Sequence, residues 1–333
     1  MKTTVLLINL GTPDSPSTSD VRSYLGQFLN DPRVVDLPWL LRKILVNLII
    51  VPFRAPKSAE IYRKLWTDEG SPIVTHGEHV QKLLQEKLGE EYTVELAMRY
   101  KNPSIPDVLE RIRKSNPDRI IVLPLFPQYA SASTGSALEE VMAEVKRWWV
   151  IPEIRFISQY WDHPAFVHAL VERGRDYDWR EYDHVLFSYH GLPERQVDKV
   201  YEEGECQDRD CEHEITPENK YCYKATCYGT TRLLAGALGI PEKNYTVCFQ
   251  SRLDKKWLEP FADKVVEEQA SKGAKRLLVF SPSFVADCLE TTIEISDEYQ
   301  ELFVEKGGEK VQLVESLNDH PAWIEALEAL VKG

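Results

Sequence analysis

The sequence predicts an α/β fold of two Rossmann-like domains, each a doubly wound parallel sheet, related by an internal repeat. Two observations lead to this prediction. Four segments of the first half recur in the second half in the same order, which is difficult to obtain by chance. Each segment is a short apolar run that ends in glycine, proline or polar residues, and helical patterns lie between the runs. This alternation is typical of βαβ units and parallel sheets.

The matched segments also divide the chain. Three matches cover strand-like segments: VLLINLGTP from Val5 with VLFSYHGLP from Val185, YTVELAMR from Tyr92 with YTVCFQSR from Tyr245, and RIIVLPLFP from Arg119 with RLLVFSPSF from Arg276. The fourth match is longer and pairs RFISQYWDHPAFVHALVERG from Arg155 with QLVESLNDHPAWIEALEALV from Gln312. We therefore expect one domain at residues 1–165 and another at 166–308. Residues 309–333 would add the last strand of the second sheet and a C-terminal helix. A chain of 333 residues is long enough to form two hydrophobic cores.

The charge balance argues against nucleic acid as a partner. The chain has 53 acidic and 40 basic residues, and the formal net charge of -13 repels phosphate backbones. The N-terminal segment MKTTVLLINLGTP reads as a first strand rather than a signal peptide, because turn residues follow its short apolar run. We therefore expect a cytoplasmic protein, in which clustered thiols are more often metal ligands or catalytic groups than disulfides.

One apolar segment, LPWLLRKILVNLIIVPF at residues 37–53, raises the question of a membrane. It falls short of the roughly 20 apolar residues that a spanning helix needs, and charged residues interrupt it. Leu41, Ile44, Leu45 and Leu48 have helical spacing opposite Arg42 and Lys43, which predicts an amphipathic helix. Two interpretations remain open. The helix packs on the core, or residues 34–53 form an apolar lip for a large apolar ligand or for peripheral contact with a membrane.

Ligands of open parallel sheets bind beyond the carboxyl ends of the strands, so the residues that follow the matched strands are candidates for chemistry. His190 lies at such an end, in SYHGLPER. A neutral imidazole accepts a proton near pH 7 or ligates a metal such as Fe²⁺ or Zn²⁺. The alternative is a histidine with a structural role.

A second candidate is the acidic stripe of Glu290, Glu294, Asp297, Glu298 and Glu301, whose α-helical spacing would place them on one face. Such a stripe is usually a solvated surface. Its functional alternative is a route for a cation or for protons, since like charges four residues apart destabilise a helix and oxygen ligands release a divalent metal readily. The sequence has no GxGxxG after the first strand, no GxxxxGK[ST] and no GxSxG motif, which disfavours dehydrogenases, kinases and serine hydrolases.

Four of the six cysteines cluster in one segment, the cysteine loop of residues 206–227. Their pattern is C-x4-C-x10-C-x4-C, formed by Cys206, Cys211, Cys222 and Cys227. This spacing leaves zinc and iron-sulfur sites about equally favoured. Cys227 begins a predicted helix and could instead be buried, in which case His213 would have to substitute. Cys248 and Cys288 lie in strand and helix patterns and are expected to be packing residues.

Longer motifs connect these residues to one family. INLGTPDSPSTSDVRSYLGQFLNDPRVVDLP at the N-terminus, AMRYKNPS, FPQYASASTGS, SYHGLPERQ, CFQSR and ADCLET all resemble ferrochelatase, the enzyme that inserts Fe²⁺ into a porphyrin to make haem. The resemblance extends along the chain. It implies the chelatase-like arrangement of two Rossmann-like domains that the repeat predicts.

The resemblance also implies residue roles. His190 would be the histidine beside the porphyrin and Glu290 its acidic partner, and both would meet the substrate Fe²⁺. Asp287, Glu294 and Glu298 would carry protons out or metal in. Eight residues fall at family positions that line the porphyrin pocket: Leu10, Arg54, Tyr62, Ser71, Arg99, Tyr100, Tyr129 and Trp257.

Two further expectations follow from the resemblance. Some bacterial ferrochelatases carry a 2Fe-2S cluster on an internal four-cysteine insertion, so this cofactor is favoured for the cysteine loop, with structural zinc as the alternative. The expected reaction is insertion of Fe²⁺ into protoporphyrin IX with release of two protons, the terminal step of haem synthesis. The alternatives are coproporphyrin III as the substrate, cobalt or nickel insertion into another tetrapyrrole, and a porphyrin or haem carrier without turnover. The oligomeric state is left open.

Overall fold

The computed structural model describes residues 2–333, and within that range it contains two four-stranded parallel sheets. The first sheet has the order β2-β1-β3-β4, with β1 at Thr3–Gly11, β2 at Tyr92–Tyr100, β3 at Arg119–Pro124 and β4 at Glu153–Phe156. The second has the order β6-β5-β7-β8, with β5 at His184–His190, β6 at Tyr245–Gln250, β7 at Arg276–Phe280 and β8 at Lys310–Leu313. The predicted α/β class is confirmed, and the two strand orders are equivalent, as the repeat requires.

Helices connect the strands of both sheets. They are α1 Thr18–Leu29, α2 Trp39–Ile44, α3 Val51–Leu65, α4 Pro72–Leu88, α5 Ile105–Ser115, α6 Ser136–Val145, α7 Pro164–Gly174, α8 Glu194–Asp198, α9 Tyr223–Leu238, α10 Ala262–Ser271, α11 Gln300–Glu305 and α12 Pro321–Lys332. The first turn of α5 illustrates how the sequence determines where a helix begins. The Ser104 hydroxyl accepts the Asp107 N–H at 3.2 Å, and Pro106 occupies the first turn, where no N–H partner is needed.

Packing divides the chain into two compact units. The first unit comprises the residues up to Phe126, Ser131–Gln159 and Leu327–Gly333, and the second comprises Pro127–Ala130 and Tyr160–Ala326. The predicted domain boundaries after residues 165 and 308 remain predictions. In each unit the central strand, β1 or β5, is almost wholly buried, whereas the edge strands β4 and β8 keep exposed positions, as expected when helices cover both faces of a parallel sheet.

Within residues 2–333, three segments are π-helical, at Leu45–Ile50, Ser131–Gly135 and Leu289–Tyr299. The second and third follow the third strand of their sheets, so the repeat extends beyond the strands. A π-helix has i→i+5 hydrogen bonds and therefore more residues per turn than an α-helix. The predicted single face of the acidic stripe, which assumed α-helical spacing, is corrected accordingly: Glu290 and Glu294 are half-buried, whereas Asp297, Glu298 and Glu301 are exposed.

The predicted polar face of the segment at residues 37–53 is also corrected. Arg42 is buried, and its guanidinium donates to the Leu37 carbonyl at 2.8 Å, because this side chain turns inward to the preceding loop. The large apolar side chains point outward instead: Trp39, Leu40, Leu41, Ile44, Leu48, Ile49 and Phe53 are each at least 45% exposed. Most of this segment is therefore not packed on the core, and its role as a lip for a ligand or a membrane remains a prediction. Among the described residues no helix is both long and apolar enough to span a membrane.

Candidate active site and candidate metal site

His190 ends β5 at the carboxyl edge of the second sheet, paired with Gln250, the last residue of β6. Its Nδ1 lies 2.6 Å from the Gly191 carbonyl oxygen. Because a carbonyl only accepts, the proton is assigned to Nδ1, and Nε2 keeps a free lone pair. A side chain at Gly191 would place its Cβ 2.7 Å from the Gln250 carbonyl oxygen, so only glycine lets the chain turn here.

Gln250 connects this strand edge to the π-helix at Leu289–Tyr299. Its side chain is 1% exposed, and its Oε1 accepts the Ser188 hydroxyl at 2.7 Å. Its Nε2 donates to the Glu290 carbonyl oxygen at 2.7 Å and to the Glu294 carboxylate at 3.0 Å. One buried amide therefore fixes the first turn of the π-helix beside the strand that carries His190.

The Glu294 carboxylate receives four hydrogen bonds, and all four donors are neutral. Besides Gln250, they are the Ser251 N–H at 2.7 Å, the Ser251 hydroxyl and the Tyr299 phenol at 3.0 Å. Ser251 has a φ of +61°, a left-handed conformation that directs both of its donors to the same carboxylate. Burial and the negative charge of Glu294 raise the pKa of Tyr299, so the phenol keeps its proton. The carboxylate is therefore well bonded but its charge is not neutralised.

The Asp287 carboxylate has a different environment. It accepts from the Asn318 side chain at 2.7 Å, the Ser316 N–H at 3.1 Å and the Thr291 hydroxyl at 3.2 Å. These bonds tie the start of the π-helix to the loop after β8. Asp287 thus anchors the start of the helix, and its place on the proton or metal route remains a prediction.

Neither Gln250 nor Ser251 is among the residues predicted from the sequence. Their motif, CFQSR, was visible both as a repeat of ELAMR and as a family motif. The signal that could have identified them is position, because they follow a strand at the same sheet edge as His190. Amides and hydroxyls are common in loops, however, and only the structure shows that Gln250 is buried, that Ser251 is half-buried and that both bond to the Glu294 carboxylate.

In the first unit, Arg99 and Tyr100 lie at the end of β2 around a buried carboxylate, that of Asp31. Arg99 Nη2 is 2.8 Å from Asp31, the Tyr100 phenol is 3.0 Å away and the Ser136 hydroxyl is 2.5 Å away. Burial and the Asp31 charge raise the pKa of Tyr100. Tyr100 has no exposed surface and supports Asp31, and its predicted contact with the porphyrin remains a prediction.

The other predicted porphyrin residues differ in accessibility. Ser71 is buried and donates to the Thr12 hydroxyl at 3.0 Å, and Tyr62 is 9% exposed against the Tyr24 ring. The porphyrin contacts predicted for Ser71 and Tyr62 remain predictions. Accessible surface remains at the four others, of which Leu10, Tyr129 and Trp257 are half-buried and Arg54 is exposed.

Three thiols of the cysteine loop converge. The sulfur atoms of Cys206, Cys211 and Cys222 all lie within 4.8 Å of one another, and all three residues are buried. Cys222 Sγ is 3.5 Å from Cys206 Sγ and 3.8 Å from Cys211 Sγ. Thiolates about 2.3 Å from one tetrahedral ion lie roughly 3.8 Å apart, so the three residues fit a thiolate metal site. We call them the cysteine trio.

The predicted set of four cysteines is not assembled. Cys227 lies outside the trio, within α9, where its thiol contacts the Tyr223 phenol. Full burial raises the pKa of the Cys227 thiol well above its usual value. The reason is local: four helical residues, 223–226, lie between Cys222 and Cys227, and the helix turns the Cys227 side chain into the core of the second unit. His213 does not replace it, because its ring is exposed and hydrogen-bonded to Asp210.

The fold and the site together define a chelatase-type α/β protein. The solved structure "SirB from Bacillus subtilis with Fe3+" aligns with a TM-score of 0.57 and 15% identity over 100% of this chain and 95% of that chain. The sirohydrochlorin chelatase SirB of Bacillus subtilis subspecies spizizenii, in complex with cobalt, aligns with a TM-score of 0.53 and 15% identity over 100% and 94%. Identities this low establish the shared fold.

Sequence similarity identifies the family. The ferrochelatase family model matches residues 2–333. Ferrochelatase of Coxiella burnetii (strain Dugway 5J108-111) is 43% identical over 98% of this chain and 92% of its own length, and that of Legionella pneumophila (strain Lens) is 43% identical over 99% of both. The chain belongs to the ferrochelatase family. It is an enzyme, a lyase that inserts iron into a porphyrin for haem synthesis.

Proposed function

We propose that the enzyme inserts Fe²⁺ into protoporphyrin IX and releases two protons, forming protohaem. The observation that carries the proposal is the juxtaposition of His190 and the π-helix carboxylates around Gln250. The backbone of Gln250 pairs with His190, and its side chain bonds to the Glu290 carbonyl and the Glu294 carboxylate. A base and a cation-attracting group therefore share one sheet edge.

The chemistry requires both groups. Each pyrrole N–H gives its proton to a base and its electron pair to the incoming Fe²⁺, so two protons leave as one dication enters. His190 Nε2 offers a lone pair, because Nδ1 is committed to the Gly191 carbonyl. Glu290 is half-buried and offers a carboxylate on the first turn of the π-helix. We assign proton acceptance and the first contact with iron to this pair.

Beyond this pair, the route for protons or metal runs along the π-helix through Glu294 to Glu298. Glu294 is half-buried among neutral donors, and Glu298 is exposed, so the two form a path of increasing contact with water. A carboxylate that keeps its negative charge attracts a divalent cation, and oxygen ligands release it readily.

The porphyrin must be held out of plane, because a flat ring keeps its nitrogen lone pairs in the ring plane. Rigid walls can supply this distortion from binding energy. In the first unit, Leu10, Arg54 and Arg99 keep accessible surface and are proposed porphyrin contacts. In the second unit, Tyr129 and Trp257 keep accessible surface and are likewise proposed porphyrin contacts.

The apolar lip supports protoporphyrin IX over coproporphyrin III, which carries more carboxylates. Phe53, Leu48 and Trp39 are 76%, 69% and 65% exposed, a surface suited to an apolar ring or to the face of a bilayer. We therefore also propose that the enzyme works in the cytoplasm with peripheral membrane contact through the lip.

The test is anaerobic Fe²⁺ insertion with each of the two porphyrins offered separately. We expect protohaem formation to exceed coprohaem formation, and the reverse would assign coproporphyrin III. His190→Ala should lower the rate of insertion strongly but retain porphyrin binding. The control is His184→Ala, at the opposite end of β5, where the ring bonds to Thr246. Tight binding without turnover by the wild-type protein would favour a carrier.

We propose that the cysteine loop holds a 2Fe-2S cluster on Cys206, Cys211 and Cys222, with Cys227 as the fourth ligand after a local shift of α9. The burial and proximity of the trio support a metal site. The cluster would supply a structural clip on the loop, and no step of iron insertion uses it. The alternative is Zn²⁺ on the trio.

Two measurements separate these centres. A reddish anaerobic protein whose visible absorption is bleached by dithionite would identify the cluster, whereas a colourless protein with bound zinc would identify the alternative. Cys227→Ser should remove the cluster but leave zinc binding by the trio intact. Cys248→Ser, at a buried cysteine on β6, is the control and should keep either centre.

A further inference from the structure

We propose that Tyr201 belongs to the metal site of the cysteine loop, as the hydrogen-bond donor that holds Cys211 in position as a ligand. The inference rests on the metal site proposed above and is independent of iron insertion. The Tyr201 phenol oxygen lies 3.2 Å from Cys211 Sγ. A cysteine that binds a metal does so as a thiolate, which only accepts, so the phenol is the donor in this pair.

Arg209 fixes the ring of Tyr201. The guanidinium carbon lies 4.0 Å from the centre of the ring, a cation–π contact. Arg209 is itself held by two loop carbonyls, that of Glu205 at 3.0 Å and that of Glu203 at 2.7 Å. The loop backbone thus positions a cation, the cation positions a ring, and the ring presents its hydroxyl to Cys211.

A second donor reaches the same sulfur. Asn219 is 1% exposed, and its Nδ2 lies 3.7 Å from Cys211 Sγ. The Asn219 side chain also shapes the loop, because it donates to the Glu214 carbonyl at 3.0 Å and accepts from the Thr216 N–H at 2.6 Å. Two polar side chains that contact the same buried sulfur indicate a site built to stabilise negative charge there.

Hydrogen bonds to ligating atoms orient them and raise metal affinity, and losing such a partner costs about 10- to 100-fold in affinity. Tyr201 is the better probe of this role than Asn219. Its replacement by phenylalanine removes one oxygen and keeps the ring under Arg209. If the ring contributes packing alone, the same replacement leaves metal affinity unchanged.

The experiment measures binding of Co²⁺ alone to the reduced, metal-free full chain. Thiolate-to-cobalt charge-transfer absorption in the near ultraviolet reports the cysteine loop and not the carboxylates of the active site. We expect Tyr201→Phe to weaken Co²⁺ binding about tenfold. Arg209→Met, which keeps the phenol, should weaken it less.

Tyr221→Phe is the matched control. Tyr221 adjoins Cys222, but its ring packs against Tyr129, and its replacement should leave affinity unchanged. Equal affinity of the wild-type protein, Tyr201→Phe and Arg209→Met would overturn the inference. Absence of the charge-transfer band in the wild-type protein would overturn both the inference and the proposed metal site. The proposed iron insertion would be unaffected, because its own assay tests it separately.

Discussion

The two halves of the molecule treat a carboxylate at the sheet edge in opposite ways. In the first unit the Asp31 carboxylate, 2% exposed, is paired with the guanidinium of Arg99. In the second unit the four donors to Glu294 are neutral. Arg252, which the repeat aligns with Arg99, pairs instead with Asp263 near the surface. The same fold therefore neutralises a charge in one copy and preserves it in the other.

This difference shows how a duplicated fold becomes asymmetric in function. Burying an ion pair ties two elements together, and the pair then has no charge left for a ligand. Holding a carboxylate with neutral donors keeps it rigid and still attractive to a cation. We infer that the first unit contributes surface and stability, whereas the second contributes the chemistry.

The largest effect is expected at His190. Replacing it by alanine removes the Nε2 lone pair and should lower kcat for Fe²⁺ insertion by about 10²- to 10⁴-fold. Porphyrin binding, followed by fluorescence quenching, should change little. If the variant kept more than a tenth of wild-type kcat, His190 would not be the base of the reaction. The inference that the second unit contributes the chemistry would then also be wrong.

The next effect concerns stability. Asp31→Ala removes the buried partner of Arg99, whose guanidinium keeps only the longer ion pair with Glu140 at 3.5 Å, and should lower the free energy of unfolding by about 3 kcal/mol, measured by urea denaturation. Asp263→Ala breaks the more exposed pair in the second unit and should cost no more than about 1 kcal/mol. Equal costs at the two sites would contradict the contrast between the ion pairs.

Gln250→Leu tests the connection between strand and π-helix. The substitution leaves the Ser188 hydroxyl and the Glu290 carbonyl without their partner, and we expect a loss of about 1–3 kcal/mol in the free energy of unfolding. Activity should fall further than stability alone predicts, because Glu290 and Glu294 lose their register with His190. The control is Gln269→Leu, at a buried glutamine of α10. If both variants lost the same activity, Gln250 would have no specific role in positioning Glu290 and Glu294.

The smallest effect is expected at the apolar lip. Leu48→Ser removes one of several exposed apolar side chains and should weaken sedimentation with liposomes by roughly tenfold, about 1.5 kcal/mol. Turnover with detergent-dispersed porphyrin should not change. The control is Leu233→Ser, on the exposed surface of α9. If both variants weakened sedimentation equally, the lip would not be the membrane-contacting surface.

The sheets could be predicted because each strand is a short apolar run that can be recognised without knowing its partner strand. The repeat then showed that the runs of the second half follow the same order as those of the first. The π-helices could not be predicted. The i→i+5 hydrogen bonds of a π-helix change the residue spacing and leave no mark in the sequence, so the prediction that the acidic stripe occupies one face was wrong. The burial of Arg42 could not be predicted either. A charged side chain is expected at the surface, and only the structure shows that the Leu37 carbonyl accepts a hydrogen bond from its guanidinium. The role of Gln250 depends on contacts between residues 40 positions apart, as with Glu290.

The cysteine loop shows a third limit. Spacing predicts that four thiols lie near one another along the chain, but it does not show which side of a helix each one faces. Cys222 precedes α9 and stays with the trio, whereas Cys227 lies inside the helix and faces the core.

The most direct test of the contrast between the halves is the apparent KM for Fe²⁺ at saturating protoporphyrin IX, measured for Glu294→Gln and Asp31→Asn. Each substitution removes one negative charge and keeps the side-chain shape. We predict that Glu294→Gln raises this KM about tenfold, or about 1.4 kcal/mol, while Asp31→Asn leaves it unchanged and affects stability instead. An unchanged KM for Glu294→Gln, or equal increases for both variants, would contradict the account.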